Sequence, residues 1–182
     1  MYALKHYCRA MWSAVFLLTL CAIVWADPPV RPAQVMAAFV YNFTQYVDWP
    51  PEAFKSDSQP FVVMVMGDDD FARELEKIMA NKVVGKRPLT VGRCESPDNI
   101  GDCQVLFVPA SQDDAMKSVE EKIGKTPVLT VGESDAFMAA GGGIGLFLDD
   151  GKMKFELDPD VLAAAQLHAS AKLMKLAKIY HR

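Results

Sequence analysis

A run of three aspartates follows a strongly apolar segment, in a position where carboxylates can bind a divalent cation or a polar ligand. Asp68, Asp69 and Asp70 come after the apolar residues 61–66 and Gly67. In open α/β sheets, ligands bind beyond the carboxyl ends of the strands, and hard cations prefer oxygen ligands. The alternative is that one aspartate caps the next helix, while the other two are solvated near its positive end. The sequence favours this capping role.

A serine between another apolar segment and a helix resembles the nucleophile of a hydrolase. Residues 132–136 have the strand–turn–helix setting of a nucleophile elbow, which presents a serine hydroxyl to a histidine base. Ser134 and His168 are the candidate nucleophile and base. The acid of such a triad would be Asp149, Asp150 or Asp158. However, Ala136 replaces the second glycine of the elbow, and His168 falls inside a predicted core helix. We therefore expect Ser134 to cap a helix and the protein not to be an enzyme.

The two junctions together define a candidate ligand crevice, because the carboxyl ends of parallel strands meet at one edge of a sheet. Its residues are Asp68, Asp69, Asp70, Gly132, Glu133 and Ser134. Two alternative functions follow from these motifs. One is a small-ligand binding protein that uses this crevice, and the other is a small serine hydrolase that uses Ser134 and His168.

Two further motifs have structural explanations. Met64 and Met66 could suggest a copper site with thioether ligands, but alternate positions on a buried strand place both on one face, where they would pack. The glycines at 141–143 lack the preceding strand, the following helix and the lysine of a phosphate-binding loop. The sequence therefore predicts neither a metal nor a cofactor.

The first 26 residues have the pattern of a cleaved signal peptide. Lys5, His6 and Arg9 precede an apolar stretch over residues 10–24, and Ala26 stands just before Asp27-Pro28-Pro29. A small residue at this position is typical of a signal peptidase site. The alternatives are an uncleaved membrane anchor and a lipoprotein acylated at Cys21. We expect cleavage after Ala26 and a soluble, exported protein formed by residues 27–182.

The composition of the mature chain excludes one class of partner. Residues 27–182 carry 17 basic and 23 acidic residues, a net charge of −6 with histidines neutral. Phosphate backbones require a basic face, so we expect no nucleic-acid partner. A chain of this length can bury one ordinary core without a metal or a disulfide framework.

The mature chain retains two cysteines after Cys8 and Cys21 leave with the leader. Cys94 and Cys103 are an even number in an oxidising compartment, which favours a disulfide between them. The alternative is two free, buried thiols.

Apolar segments of strand length alternate with helical patterns along the chain. Predicted strands cover residues 61–66, 83–94, 105–108, 128–131, 144–148 and 152–157, and predicted helices cover 35–47, 71–80, 111–122, 136–140 and 158 to the end. The segment 83–94 is either a hairpin or one bent edge strand. These elements predict a single three-layer α/β domain with a mostly parallel sheet, an antiparallel hairpin at the edge and helices on both faces.

Five segments in order resemble the YfiR-like family, domain of unknown function 4154. They are residues 36–50, 103–108, 129–134, 141–146 running into 154–156, and 169–177. The resemblance implies a periplasmic α/β protein that represses an inner-membrane diguanylate cyclase by binding its periplasmic region. It also implies release of that repression by an OmpA-like outer-membrane lipoprotein. A sensor kinase is an alternative partner, and a homodimer is left open. The best-understood member type has two disulfides, and reducing stress on them disturbs its function. This chain can form at most one disulfide, so the resemblance does not imply redox sensing here.

Overall fold

The computed structural model describes residues 32–181, so the predicted leader and cleavage site lie outside the described residues. The strands are β1 (Val47–Asp48), β2 (Phe61–Met66), β3 (Val83–Val84), β4 (Arg87–Cys94), β5 (Val105–Val108), β6 (Leu129–Gly132), β7 (Ile144–Asp149), β8 (Lys152–Leu157), β9 (His168–Ala169) and β10 (Lys178–Ile179). The α-helices are α1 (Pro32–Tyr46), α2 (Asp69–Met79), α3 (Met116–Ile123), α4 (Asp135–Ala139), α5 (Pro159–Ala164) and α6 (Ala171–Leu176). Short 3-10 helices cover Pro51–Ala53, Pro97–Asn99 and Ala110–Ala115. No helix within residues 32–181 has the length and apolar character to cross a membrane.

The main sheet has eight strands in the order β10-β8-β7-β6-β5-β2-β4-β3. Strands β4, β2, β5, β6 and β7 are parallel to their neighbours in this series. Strands β7 and β8 form the predicted antiparallel hairpin. Segment 83–94 is also a hairpin, because Val83 pairs with Pro88 in an antiparallel register. The predicted fold class is confirmed.

Helices cover both faces of this sheet, so its central strands are buried on both sides. One apolar cluster joins α1, α2, α5 and α6 to one face, with Phe43, Leu75, Leu162 and Leu173 among its buried members. A second cluster joins α3 and α4 to the other face through residues such as Met116, Val119, Phe137 and Met138. The result is the predicted three-layer arrangement.

The C-terminal segment differs from its prediction as one continuous helix. Helix α5 ends at Ala164, and Gln166 has a φ of 58°, in the left-handed region that interrupts a helix. Strand β9 then pairs with β1 in a separate two-stranded sheet. Ser170 donates its backbone N–H to the Tyr46 carbonyl oxygen at 2.8 Å, and its side chain accepts the N–H of Leu173 at the start of α6. Tertiary pairing with the end of α1 therefore replaces the helix predicted over residues 158–182.

Candidate functional site

The aspartate run after β2 serves first as a helix cap. Asp68 Oδ1 accepts the backbone N–H of Phe71 at 2.9 Å, as the sequence predicts for one of the three aspartates. Asp70 is exposed and forms an ion pair with Arg73. Asp69 lies 3.4 Å from Arg93 Nε. Two of the three carboxylates therefore face arginines, and the third holds the N-terminus of α2.

Ser134 is a helix cap as well. Its Oγ accepts the backbone N–H of Phe137 at 2.9 Å, the capping interaction that opens α4. The same hydroxyl donates a hydrogen bond to Asp113 Oδ2 at 2.7 Å. Because the hydroxyl both donates and accepts a hydrogen bond within the protein, Ser134 links the loop after β5 to the loop after β6.

The structure does not bring Ser134 and His168 together. Ser134 caps α4, whose Phe137 packs in the cluster on one face of the sheet. His168 is exposed on β9, opposite Asp48, and its neighbours Leu167 and Ala169 belong to the cluster on the other face. The sheet therefore separates the nucleophile and base of the hydrolase hypothesis.

The loops that would form the predicted crevice contact one another directly. Glu133 Oε1 accepts the backbone N–H of Ala110 at 3.2 Å. At Gly67, whose φ is +63°, an added Cβ would lie 2.8 Å from Nε2 of Gln112. The Gln112 side chain thus packs over the turn that ends β2. Asp68–Asp70 and Gly132–Ser134 remain a predicted ligand crevice, and a ligand there would require Gln112 to move.

The other motifs have the predicted structural roles. Met64 and Met66 pack in the same apolar cluster, and Met64 lies over Gly92. In the segment 141–143, Gly142 donates its N–H to the Phe137 carbonyl oxygen at 3.0 Å, and an added Cβ there would overlap the phenyl ring. Within residues 32–181, no group of three or more His, Cys, Asp or Glu side chains is arranged to hold a metal ion.

Cys94 and Cys103 are free thiols in the structure, so it does not contain the predicted disulfide. Both are buried in one apolar cluster, together with Ile100 of the loop between them. Burial raises the pKa of Cys94, and it raises the pKa of Cys103 to about 12. The negative charge of Asp102 adds to the upward shift of the Cys103 pKa.

A cleft that the sequence did not predict lies at the opposite end of β6. Strand β7 first pairs with β6 at Val131, opposite Ile144, so Leu129 and Thr130 have no partner strand on that side. At this notch, Thr130 and the preceding Val128 line a cleft of about 380 Å³. The walls come from α3, the turn after it, α5 and the C-terminal segment: Glu120, Ile123, Lys125, Val128, Asp158, Asp160, Val161, Ala165 and His181 are among the lining residues.

A second, smaller cavity of about 250 Å³ adjoins this cleft, since Thr126 and Val128 line both. It lies beneath the loop that connects α1 to β2, and Cys103 is part of its wall. Gln104, also in the wall, is only 1% exposed and holds that loop: its side chain accepts the N–H of Val62 and donates to the Ala53 carbonyl oxygen.

A family model described as YfiR/HmsC-like, domain of unknown function 4154, matches residues 33–178. The chain belongs to the YfiR/HmsC-like family. The match covers nearly all of the described residues, from the first turn of α1 to the start of β10. The resemblance seen in the sequence is thereby confirmed, and the family is known as regulatory rather than catalytic.

Two solved structures share the fold of this YfiR/HmsC-like protein. One is a conserved domain protein from Vibrio cholerae, with a TM-score of 0.54 and 7% sequence identity. The other is an ABC domain in complex with L-Trp from Streptococcus pneumoniae, with a TM-score of 0.51 and 10% identity. Each alignment covers 81% of this chain and 60% of the other chain. At these identities the likeness concerns the fold alone. No curated protein matches the chain in sequence.

Large apolar side chains are exposed at separate places on the surface. Leu176 on α6 is 69% exposed, Leu148 at the end of β7 is 64% exposed, and Val83 on β3 is 51% exposed. Single exposed apolar residues are ordinary on soluble proteins. Leu176 differs in its surroundings, because α6 contacts α1, a 15-residue helix without a charged side chain.

Proposed function

We propose that this protein acts in the periplasm as a non-enzymatic regulator that binds the periplasmic region of an inner-membrane diguanylate cyclase and represses the synthesis of cyclic di-GMP. Membership of the YfiR/HmsC-like family over residues 33–178 carries the proposal. An OmpA-like outer-membrane lipoprotein is the proposed antagonist that sequesters the repressor.

The N-terminal sequence supports the proposed compartment. Residues 1–26 combine a basic start, an apolar stretch and a small residue before Asp27. A repressor that reaches its partner from the periplasmic side must be exported. Cleavage after Ala26 would leave the whole family-matched region in the mature protein.

Helices α1 and α6 are the proposed binding face. Charged residues are depleted at the centres of protein interfaces, and α1 carries none between Pro32 and Tyr46. The half-buried Phe39 and Tyr41 lie on this helix. Leu176 extends the apolar surface onto α6. Helix α6 carries two lysines, Lys172 and Lys175. The Lys172 ammonium group donates a hydrogen bond to the Tyr46 hydroxyl at 2.9 Å, where α6 meets the end of α1.

Deletion of the gene tests the proposed function. We expect the deletion to raise cyclic di-GMP, increase biofilm and reduce motility, because the partner cyclase is no longer repressed. The full chain should restore the low level, whereas residues 27–182 produced without the leader should not, since they stay in the cytoplasm. Unchanged cyclic di-GMP after deletion would contradict a cyclase partner. Restoration by the leaderless chain would contradict action in the periplasm.

N-terminal sequencing of the exported protein tests the compartment directly. We expect the mature chain to begin at Asp27. A lipid on Cys21, or a chain that keeps residues 1–26 in the membrane fraction, would contradict a soluble periplasmic repressor.

A further inference from the structure

We propose that the notch beside β6 is a binding site for a small organic ammonium ion with a compact apolar body. This inference goes beyond the proposed regulatory function and does not depend on it. The site lies at the amino end of β6, away from the crevice predicted at Asp68–Asp70 and Gly132–Ser134. Its volume of about 380 Å³ falls in the range of roughly 300–1,000 Å³ that is usual for ligand pockets.

The strand register creates the site and fixes its shape. Strand β7 begins opposite Val131, two residues into β6, so Thr130 has no partner strand on that side and lines the cleft. Two hydrogen bonds of the Gly143 backbone fix the edge of the cleft. Gly143 donates its N–H to Thr130 Oγ1 at 2.9 Å and accepts the N–H of Asp158 at 3.0 Å. These bonds fix the strand ends on either side, so the cleft is preformed.

The floor of the cleft suits an apolar group. Val128 is 9% exposed, and Ile123, Val161 and Ala165 are half-buried around it. These side chains come from α3, from the residue before β6, and from α5 and the residue after it, so they line three sides of the space. A ring or a branched alkyl group would bury apolar surface against all three, which is the main source of affinity in such pockets.

The charges around the cleft select a cation. Glu120 on α3 and Asp160 on α5 are exposed carboxylates of the lining, and Asp158 adds a third, nearly buried negative charge. Lys125 is the opposing cation, and His181 completes the charged lining. With histidine neutral, the lining therefore carries a net charge of −2. Glu120 and Asp160 are accessible to a ligand ammonium group. Asp158 is nearly buried, so its negative charge attracts the ammonium group without direct contact.

Three probes of similar size and different charge test the proposal on the exported protein. They are 2-phenylethylamine, the neutral 2-phenylethanol and the anionic 3-phenylpropionate, each titrated by NMR. We expect 2-phenylethylamine to bind at least about fivefold more tightly than 2-phenylethanol, and 3-phenylpropionate to bind most weakly. Shifts should concentrate on Ile123, Val128 and Val161. Equal binding of all three probes, tighter binding of the anion, or no binding of the amine would overturn the proposal.

Variants separate this site from adventitious binding elsewhere. Glu120→Gln and Asp160→Asn should each weaken 2-phenylethylamine binding about twofold to fivefold, as expected for exposed ion pairs. Glu121→Gln is the matched control, since Glu121 is exposed on the same helix and does not line the cleft. Ala164→Phe adds bulk at an exposed wall position and should abolish binding without unfolding the protein. Unchanged affinity in both charge variants, or in a folded Ala164→Phe variant, would overturn the proposal.

Discussion

Ser134 and Asp113 are joined by a hydrogen bond of 2.7 Å between the serine Oγ and Asp113 Oδ2. The serine Oγ also accepts the N–H of Phe137, so the side chain links the loop after β5 to the start of α4. The other oxygen of Asp113, Oδ1, is buried and has no hydrogen-bond partner within the described chain. The Ser134 hydroxyl therefore supplies a hydrogen bond to a carboxylate whose other oxygen has none in the described chain.

Replacing Ser134 with alanine should reduce stability and leave regulation intact. Loss of a serine cap costs about 1 kcal/mol, and the loss of a hydrogen bond to Asp113 adds to that cost. Urea denaturation should show a loss of about 1–2 kcal/mol, while the variant still represses cyclic di-GMP in cells. Threonine at the same position keeps an oxygen and should recover much of the stability. A folded alanine variant that fails to repress would instead point to a chemical role for the hydroxyl.

The buried Gln104 should contribute more to the stability of the fold than an exposed glutamine does. Its side chain accepts the N–H of Val62 at 2.8 Å and donates to the Ala53 carbonyl oxygen at 2.7 Å. Its main-chain carbonyl oxygen accepts the indole N–H of Trp49. Alanine at this position would leave partly buried backbone groups unpaired, at a cost of about 2–3 kcal/mol by denaturant unfolding. Gln45→Ala, at an exposed glutamine on α1, is the control. Similar losses in both variants would contradict this account.

The central sheet could be predicted from the sequence because its strands are short, unbroken apolar runs. The segments 105–108 and 128–131 lie within a residue of β5 and β6, and all four residues of each strand are buried. The helix caps predicted at the aspartate run and at Ser134 could be identified in the same way, since Asp68 and Ser134 each accept a backbone N–H at a helix start. Apolar strand segments and helix caps depend on residues that are adjacent in the sequence, so a local pattern is enough to predict them.

The C-terminal segment and the cleft could not be predicted in the same way. Leu162, Ala165, Ala169, Leu173 and Leu176 have helical spacing, yet β9 pairs with β1, which precedes it by about 120 residues in the sequence. The cleft depends on where β7 starts relative to β6, a register that no local pattern specifies. Its walls also come from segments that lie far apart in the chain.

Protein purified from the periplasm should contain a Cys94–Cys103 disulfide. The two thiols lie in one apolar cluster, on either side of the loop that contains Ile100. The proposed export would place the chain in an oxidising compartment. Closing a loop of about ten residues stabilises the fold by roughly 2–3 kcal/mol in the chain-entropy model. Intact mass after alkylation, with and without prior reduction, measures the bond. Two alkylated thiols in the unreduced sample would contradict it.

The reduced protein should lose stability at alkaline pH. Burial raises the pKa of Cys103 from 9.0 to about 12, so the unfolded chain releases this proton before the folded one does. The contribution of the protonated thiol to stability is therefore complete below pH 9 and is lost as the pH rises towards 12. Denaturant unfolding in excess reductant should show this decline, and Cys103→Ala should make it shallower. An identical pH dependence in the two proteins would contradict the assignment to Cys103.

A charge at Leu176 should weaken repression without weakening the fold. The side chain is 69% exposed on α6, beside the uncharged helix α1, so Leu176→Glu removes no core contact but places a carboxylate on the proposed binding face. Burying an unpaired charge is costly, and we expect the variant to raise cyclic di-GMP towards the level of the deletion strain. Leu148→Glu is the matched control, because Leu148 is 64% exposed on the β7–β8 hairpin. It should repress normally, with both variants equally abundant and equally stable in urea. If Leu148→Glu alone derepresses the cyclase, the binding face lies at the hairpin and not at α1 and α6.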